Sequence, residues 1–244
     1  MQSKVIGIIG GIGPYAGLDV NKKIYDNTIA SQDKHHLDVV CLSFCQNIPD
    51  RSEFLLGKTS KNPALYITEK VKTYKLDVIG IACNTFHAPS IFEVFKSEMG
   101  ISNKRVQIVH LPNEVKKVAL RKFNHTTIGV LSSLGTFEAN IYQDTFKDVP
   151  IHLKFLDKSG RNAIHEALYN EHWGIKYNGK LSQKAKKNIE TEINKFENVD
   201  AILFACTELP LIIKNIDSSK PIIDPNLILA RALIREVDPF KLKE

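Results

Sequence analysis

Several things are missing from this sequence. No apolar stretch approaches the ~20 residues that cross a bilayer; the run over residues 5–12 is short and broken by glycines. That argues against a spanning helix and a membrane partner. Met1-Gln2-Ser3-Lys4 passes directly into a strand-like segment with no small-residue cleavage site behind it, so no leader is expected and a cytoplasmic location is. No block of five or six basic residues occurs, although the formal net charge is +6. The lysines are spread along the chain, which describes a solvated surface rather than a nucleic-acid footprint. The surplus charge can still attract an anionic substrate. Cysteine is scarce, with four residues at 41, 45, 83 and 206. Without an export signal these are expected as reduced thiols. Cys41 and Cys45 have C-x3-C spacing, but no second Cys or His cluster completes a metal site. They are expected as buried structural thiols.

What is present is an alternation of short apolar runs with longer amphipathic ones. Strands are expected over residues 5–9, 39–44, 78–82, 107–110, 127–131, 152–155, 201–205 and 222–223. Helical patterns include residues 15–29, 64–74, 113–121, 137–146, 162–169 and 182–196. The strands are nearly continuous apolar runs, as a parallel sheet covered on both faces requires. The alternation implies a doubly wound α/β architecture.

An internal repeat sharpens this. Lys4-Val-Ile-Gly-Ile-Ile-Gly-Gly-Ile-Gly-Pro14 aligns with Thr126-Thr-Ile-Gly-Val-Leu-Ser-Ser-Leu-Gly-Thr136 at an offset of 122. Leu76-Asp-Val-Ile-Gly-Ile-Ala-Cys-Asn-Thr85 aligns with Val199-Asp-Ala-Ile-Leu-Phe-Ala-Cys-Thr-Glu208 at an offset of 123. Two separate segments keep nearly one register, which implies two similar α/β halves related by a pseudo-twofold. The expected division is residues 1–112 with 212–244 as the first domain and 113–211 as the second.

In open α/β sheets ligands bind beyond the carboxyl ends of the strands. The repeat places Cys83 and Cys206 at that point, one in each half. Each is followed by small polar residues, Asn84-Thr85 and Thr207-Glu208, suited to capping a helix N-terminus. Such a position is expected to lower a thiol's pKa. If the halves face each other, the two thiols flank one cleft. Inverting a stereocentre requires a proton removed from one face and returned to the other, and two facing thiols can do this, exchanging roles with direction.

Three other segments bear on a site. Gly10-Gly11-Ile12-Gly13-Pro14 follows a strand and opens a helix, with Pro14 suited to the first turn. It lacks G-x-G-x-x-G and the phosphate-binding lysine of a P-loop, so it is either a carboxylate cradle or a tight turn. Asn47-Ile-Pro-Asp-Arg51 is a polar turn after the second strand, from which Arg51 could grip a carboxylate in bidentate fashion. Lys176, in Gly174-Ile-Lys176, could reach a site from its loop. The histidines form no constellation.

Together, the glycine loop, Asn47-Ile-Pro-Asp-Arg51, Ala82-Cys-Asn-Thr-Phe-His87 and Ala205-Cys-Thr-Glu-Leu-Pro-Leu211 resemble the aspartate/glutamate racemase family, closest to its aspartate racemase branch. The resemblance runs from the first strand to Asp224. It implies two Rossmann-like halves with the active site between them, no pyridoxal phosphate, no metal and a homodimer. By position it makes Cys83 and Cys206 the two acid/base residues. Asn84, Thr85 and Thr207 would hold the amino and α-carboxylate groups, and Arg51 and Lys176 the side-chain carboxylate. Gly11, Asn47 and Glu208 complete the expected substrate-binding set. Glu208 departs from the C-T-H of cell-wall glutamate racemases and points to the aspartate type. Phe86 stands where a small residue is usual, and either narrows the pocket or packs.

The expectation is a cofactor-independent racemase of an acidic amino acid, aspartate first and glutamate or a broader set second. The rivals are a cysteine-pair isomerase or decarboxylase, against which the amine-binding Asn84 and Thr207 argue, and a non-catalytic amino-acid-binding protein, against which the retention of both cysteines argues.

Overall fold

The computed structural model describes residues 3–102 and 106–244, without the side chains of residues 101, 102 and 178. The chain divides into two compact units, Met1–Glu114 with Asn226–Glu244, and Val115–Pro225.

The first unit runs β1 (Val5–Gly10), α1 (Pro14–Asp26), β2 (Asp38–Ser43), α2 (Arg51–Leu55), α3 (Pro63–Val71), β3 (Val78–Ile81), α4 (Pro89–Ser102), β4 (Gln107–Val109) and the start of α5 (Leu111–Lys122). The second runs through the rest of α5, β5 (Thr127–Ser132), α6 (Leu134–Glu138), α7 (Ile141–Phe146), β6 (His152–Phe155), α8 (Lys158–Tyr169), α9 (Ile175–Asn178), α10 (Gln183–Asn194), β7 (Ala201–Ala205) and β8 (Ile222–Ile223). Helix α11 (Pro225–Val237) then belongs to the first unit. The segment after Leu211 stays with the second unit as far as Pro225, because β8 extends that sheet beside β7.

Each unit is a four-stranded parallel sheet, ordered β2-β1-β3-β4 in one and β6-β5-β7-β8 in the other. The repeat holds down to register. Ile6 lies opposite Val78, and Ile128 opposite Ala201, each pair displaced from the other by the offsets of the sequence alignment. Asp77 accepts the Val5 N–H at 2.8 Å, and Asp200 accepts the Thr127 N–H at 2.9 Å. These carboxylates occupy the same place in both copies, where each pins the start of the neighbouring central strand. The strands fall where the apolar runs placed them, within one residue at each end. The central strands β3 and β7 are buried along their whole length, whereas the edge strands β2 and β6 are only partly covered.

The helices are stopped and started by local chemistry. Asp50, Asn62, Asp157 and Ser182 cap α2, α3, α8 and α10, each accepting a first-turn N–H. The single helix expected over residues 137–146 is two, because Asn140 adopts a left-handed conformation (φ 51°) that breaks it between α6 and α7. Cys45 is exposed and Cys41 half-buried, not the buried pair expected, because Cys41 lies in the partly covered edge strand β2 and Cys45 in the loop that follows it. Among the described residues no helix is long and apolar enough to cross a membrane.

Candidate active site

In each sheet the connection from the first strand runs to one edge and that from the third strand runs to the other, so the crevice between β1 and β3, and that between β5 and β7, is a topological switch point. The residues that leave these strands are therefore the ones a ligand would meet. In the first unit they are the glycine loop and Cys83; in the second, Ser133 and Cys206. Both cysteines are buried.

Around Cys83 the chain turns sharply. The Cys83 N–H returns to the Ile81 carbonyl at 2.9 Å, and a 3-10 turn over Thr85–His87 precedes α4. Asn84 and Thr85 are buried beside it, but the Asn84 side chain does not cap that turn as expected. Phe86 is fully buried against Phe95, their ring centroids 5.6 Å apart, so it packs in the core of the unit. Helix α2 lies against this same turn. It carries Arg51, whose Nη2 donates to the Ile12 carbonyl at 3.1 Å and whose Nη1 is 3.7 Å from Asp50. The structure thus joins Arg51, the glycine loop and the Cys83 turn. Gly11 has a positive φ of 75°, and a Cβ there would stand 2.6 Å from the Phe44 backbone nitrogen. Close packing against the end of β2 is enough to require glycine at this position. Asn47 is exposed in the loop beyond.

The second unit assembles a tighter cluster. Cys206 donates its thiol proton to Glu208 Oε2 at 3.1 Å, and Thr207 Oγ1 lies 3.5 Å from the same oxygen. The other oxygen, Oε1, is ion-paired with Lys176 of α9. Helix α9 is a single turn set between Gly174 and Gly179, and Lys176 also lies 5.1 Å over the Tyr169 ring. Lys176 is therefore held by Glu208 rather than presented alone.

The electrostatics departs from expectation at Cys206. Burial, then the charge of Glu208, pushes this thiol well above its ordinary value, and Lys176 offsets only part of that. The helix-end effect expected to lower it survives only as a hydrogen bond from the Glu208 backbone N–H, at the start of a 3-10 segment (Leu209–Asn215), and burial and the Glu208 carboxylate outweigh it. Burial would lower the Lys176 ammonium, but Glu208, with Tyr169 and Cys206 behind it, holds it above the usual lysine range. Tyr142 is almost wholly buried in this unit, and burial together with the nearby Cys206 charge raises its phenol.

Two residues near the thiols escaped the reading of the sequence as site components. Tyr142 carries no sequence signal, since its neighbourhood reads as an ordinary helix. His87 stands inside the Cys-Asn-Thr-Phe-His motif, four residues after Cys83, and that spacing was the available signal. Its Nδ1 is 2.8 Å from the Cys83 carbonyl.

Among the described residues no group of three or more His, Cys, Asp or Glu side chains could hold a metal. What the two clusters offer is proton chemistry: a thiol beside polar side chains and a guanidinium in one unit, and a thiol hydrogen-bonded to a carboxylate in the other.

Comparison with known proteins matches residues 9–233 to the Asp/Glu/hydantoin racemase family model. The chain is 23% identical to the broad specificity amino-acid racemase RacX of Bacillus subtilis, over 94% of this chain and 96% of that one. It is similar in structure to the aspartate racemase of Picrophilus torridus, with a TM-score of 0.79 and 29% identity, covering 96% of this chain and 94% of the other. It shares its fold with glutamate racemase RacE1 of Bacillus anthracis, with a TM-score of 0.65 and 16% identity, over 100% and 85% of the two chains.

Proposed function

Because the chain belongs to the Asp/Glu/hydantoin racemase family, we propose that it interconverts L- and D-aspartate by passing the Cα proton between Cys83 and Cys206, without a cofactor. The observation that carries this reading is the equivalence of the two thiols. Each follows the third strand, in chain order, of its own four-stranded sheet, at the switch point, in a chain whose halves repeat in register.

In one direction the Cys83 thiolate takes the Cα proton while the Cys206 thiol gives one to the opposite face. Cys206 suits the acid role, since its surroundings favour the thiol. In the other direction Cys206 must first lose its proton, and Glu208 Oε2, to which it already donates, is the acceptor in place. The Cα–H is a very weak acid, so the carbanion needs donors and cations in a water-poor setting. Asn84, Thr85 and Thr207 serve the amino and α-carboxylate groups. Arg51 serves the side-chain carboxylate, and Lys176 shares that task while paired with Glu208.

Aspartate is placed first on the similarity to an aspartate racemase. The similarity to RacX supports a second reading, a racemase of wider amino-acid range. The test is incubation with single L-amino acids in deuterated water, reading Cα deuterium by NMR and the D-form by chiral chromatography. Aspartate should exchange and racemise fastest. Comparable rates for several non-acidic amino acids would favour the second reading, and binding without any Cα exchange would remove both.

A further inference from the structure

His87 is almost wholly buried, 3% exposed, yet both of its ring nitrogens are engaged. Nδ1 lies 2.8 Å from the carbonyl oxygen of Cys83, and Nε2 lies 3.2 Å from the backbone nitrogen of Leu111. These partners fix the tautomer. A backbone N–H can only donate, so Nε2 must be the lone-pair nitrogen. A carbonyl can only accept, so Nδ1 must carry the proton. The ring's plane is set as well. Phe92 stacks on it at 5.1 Å and 24°, and His110 meets it edge-on at 4.9 Å.

Each partner has a reason to need this ring. Leu111 is the first residue of α5, and its N–H is one of the amides that a helix leaves unsatisfied at its start. Leu111 is fully buried, so water does not supply an acceptor. The Cys83 carbonyl sits where the chain leaves β3, beyond the sheet ladder, and its residue is held on the other side by the Cys83 N–H to Ile81 carbonyl bond. Fixing both the N–H and the carbonyl of one residue fixes its backbone torsions, and these set the direction of its Cα–Cβ bond.

We propose that His87 is a positioning residue for Cys83: by binding the Cys83 carbonyl and the first amide of α5 together, it aims the Cys83 thiol, and so governs the proton transfers of that thiol but not those of Cys206. The proposal rests on the racemase reading for its kinetic consequence and on geometry alone for its effect on Cys83. Cys83, Leu111, Phe92 and His110, which hold the ring, all belong to the first unit, so a defect in aim should be one-sided.

The kinetic test is Cα exchange in deuterated water, measured separately from each enantiomer of aspartate. The enantiomer whose exchange is lost in Cys83→Ser defines the Cys83 direction. His87→Gln keeps an acceptor at the place of Nε2 but no donor at Nδ1. It should slow the Cys83-direction exchange at least about tenfold, a modest fraction of what a 1 Å misplacement can cost, with the other direction within about twofold. His87→Asn keeps a donor at the place of Nδ1 and should restore the Cys83 direction to within about threefold of wild type. Equal losses in both directions, or no loss, would overturn the proposal. Iodoacetamide labelling, read by mass spectrometry for each cysteine peptide, tests the geometry independently of catalysis. The labelling rate of Cys83 should change severalfold in His87→Gln while that of Cys206 does not, and an unchanged Cys83 rate overturns the proposal. If the wild-type protein exchanges no amino acid, the racemase reading fails alone, and labelling still decides the role of His87.

Discussion

The Cys206 thiol donates a hydrogen bond to Glu208 Oε2 at 3.1 Å, while Lys176 holds the other oxygen of the same carboxylate. A thiol facing an anion prefers to keep its proton, and a thiol facing a cation prefers to lose it. Cys206 lies between the two influences, with burial and Glu208 prevailing.

That balance can be tipped from either side. Glu208→Gln removes the anion and leaves Lys176, so the Cys206 pKa should fall and its alkylation at pH 8 should speed up. Lys176→Met removes the cation, so alkylation should slow. Each unit of pKa corresponds to about tenfold in thiolate population. Opposite signs in the two variants, measured by peptide-resolved iodoacetamide kinetics, are the expected outcome; equal signs would contradict the arrangement. Glu208→Gln also leaves the Lys176 ammonium, 19% exposed, without its anion. A loss of roughly 3 kcal/mol in stability is expected from urea unfolding.

A pH dependence follows from His87. Burial, then the neighbouring His110, lowers its imidazolium from 6.5 to about 3. Below pH 6.5 the unfolded chain takes up a proton that the folded chain refuses until about pH 3. The unfolded state binds more protons in that window, so stability falls as pH falls, by up to ~1.4 kcal/mol per unit from this residue. The difference in unfolding free energy between wild type and His87→Asn should therefore narrow from pH 7 to pH 4. A difference independent of pH would show that His87 is not held neutral.

The glycine loop gives a structural test. Gly11→Ala combines a left-handed φ with a Cβ 2.6 Å from a backbone nitrogen, whereas Gly57 has a similar φ of 70° and nothing within 4 Å. Gly57→Ala should cost about 1 kcal/mol through backbone strain alone. Gly11→Ala should cost at least about 2 kcal/mol, since the end of β2 must also shift. Thermal unfolding of the two variants separates the contributions.

How much of this could be read from the sequence depends on how local each feature is. The strands were legible because residues such as Val78–Ile81 are buried on both faces and so must be apolar throughout. The repeat was legible because equivalent buried strands face equivalent packing. A Cβ on Gly7 would meet Leu76, and one on the equivalent Gly129 would meet Phe196. Helix α11 was harder, since its buried residues, from Ile228 to Ile234, surround most of the helix and blur the 3.6-residue period. Helix α4 is hidden by the turn over Thr85–His87 that precedes it. The motifs named Cys83, Cys206, Arg51 and Lys176. They could not show that Lys176 is engaged by Glu208, because that pair spans 32 residues and exists only once the chain has folded. Nor could they show that Cys206 favours the thiol, since that follows from burial.

The central claim is that two thiols share one proton transfer. Its most direct test is the racemisation rate of aspartate with Cys83→Ser and with Cys206→Ser, each checked for folding by circular dichroism. Each variant should lose racemisation by at least about a hundredfold while retaining Cα exchange from only one enantiomer, a different one in each case. Racemisation at the wild-type rate in both variants would contradict the account.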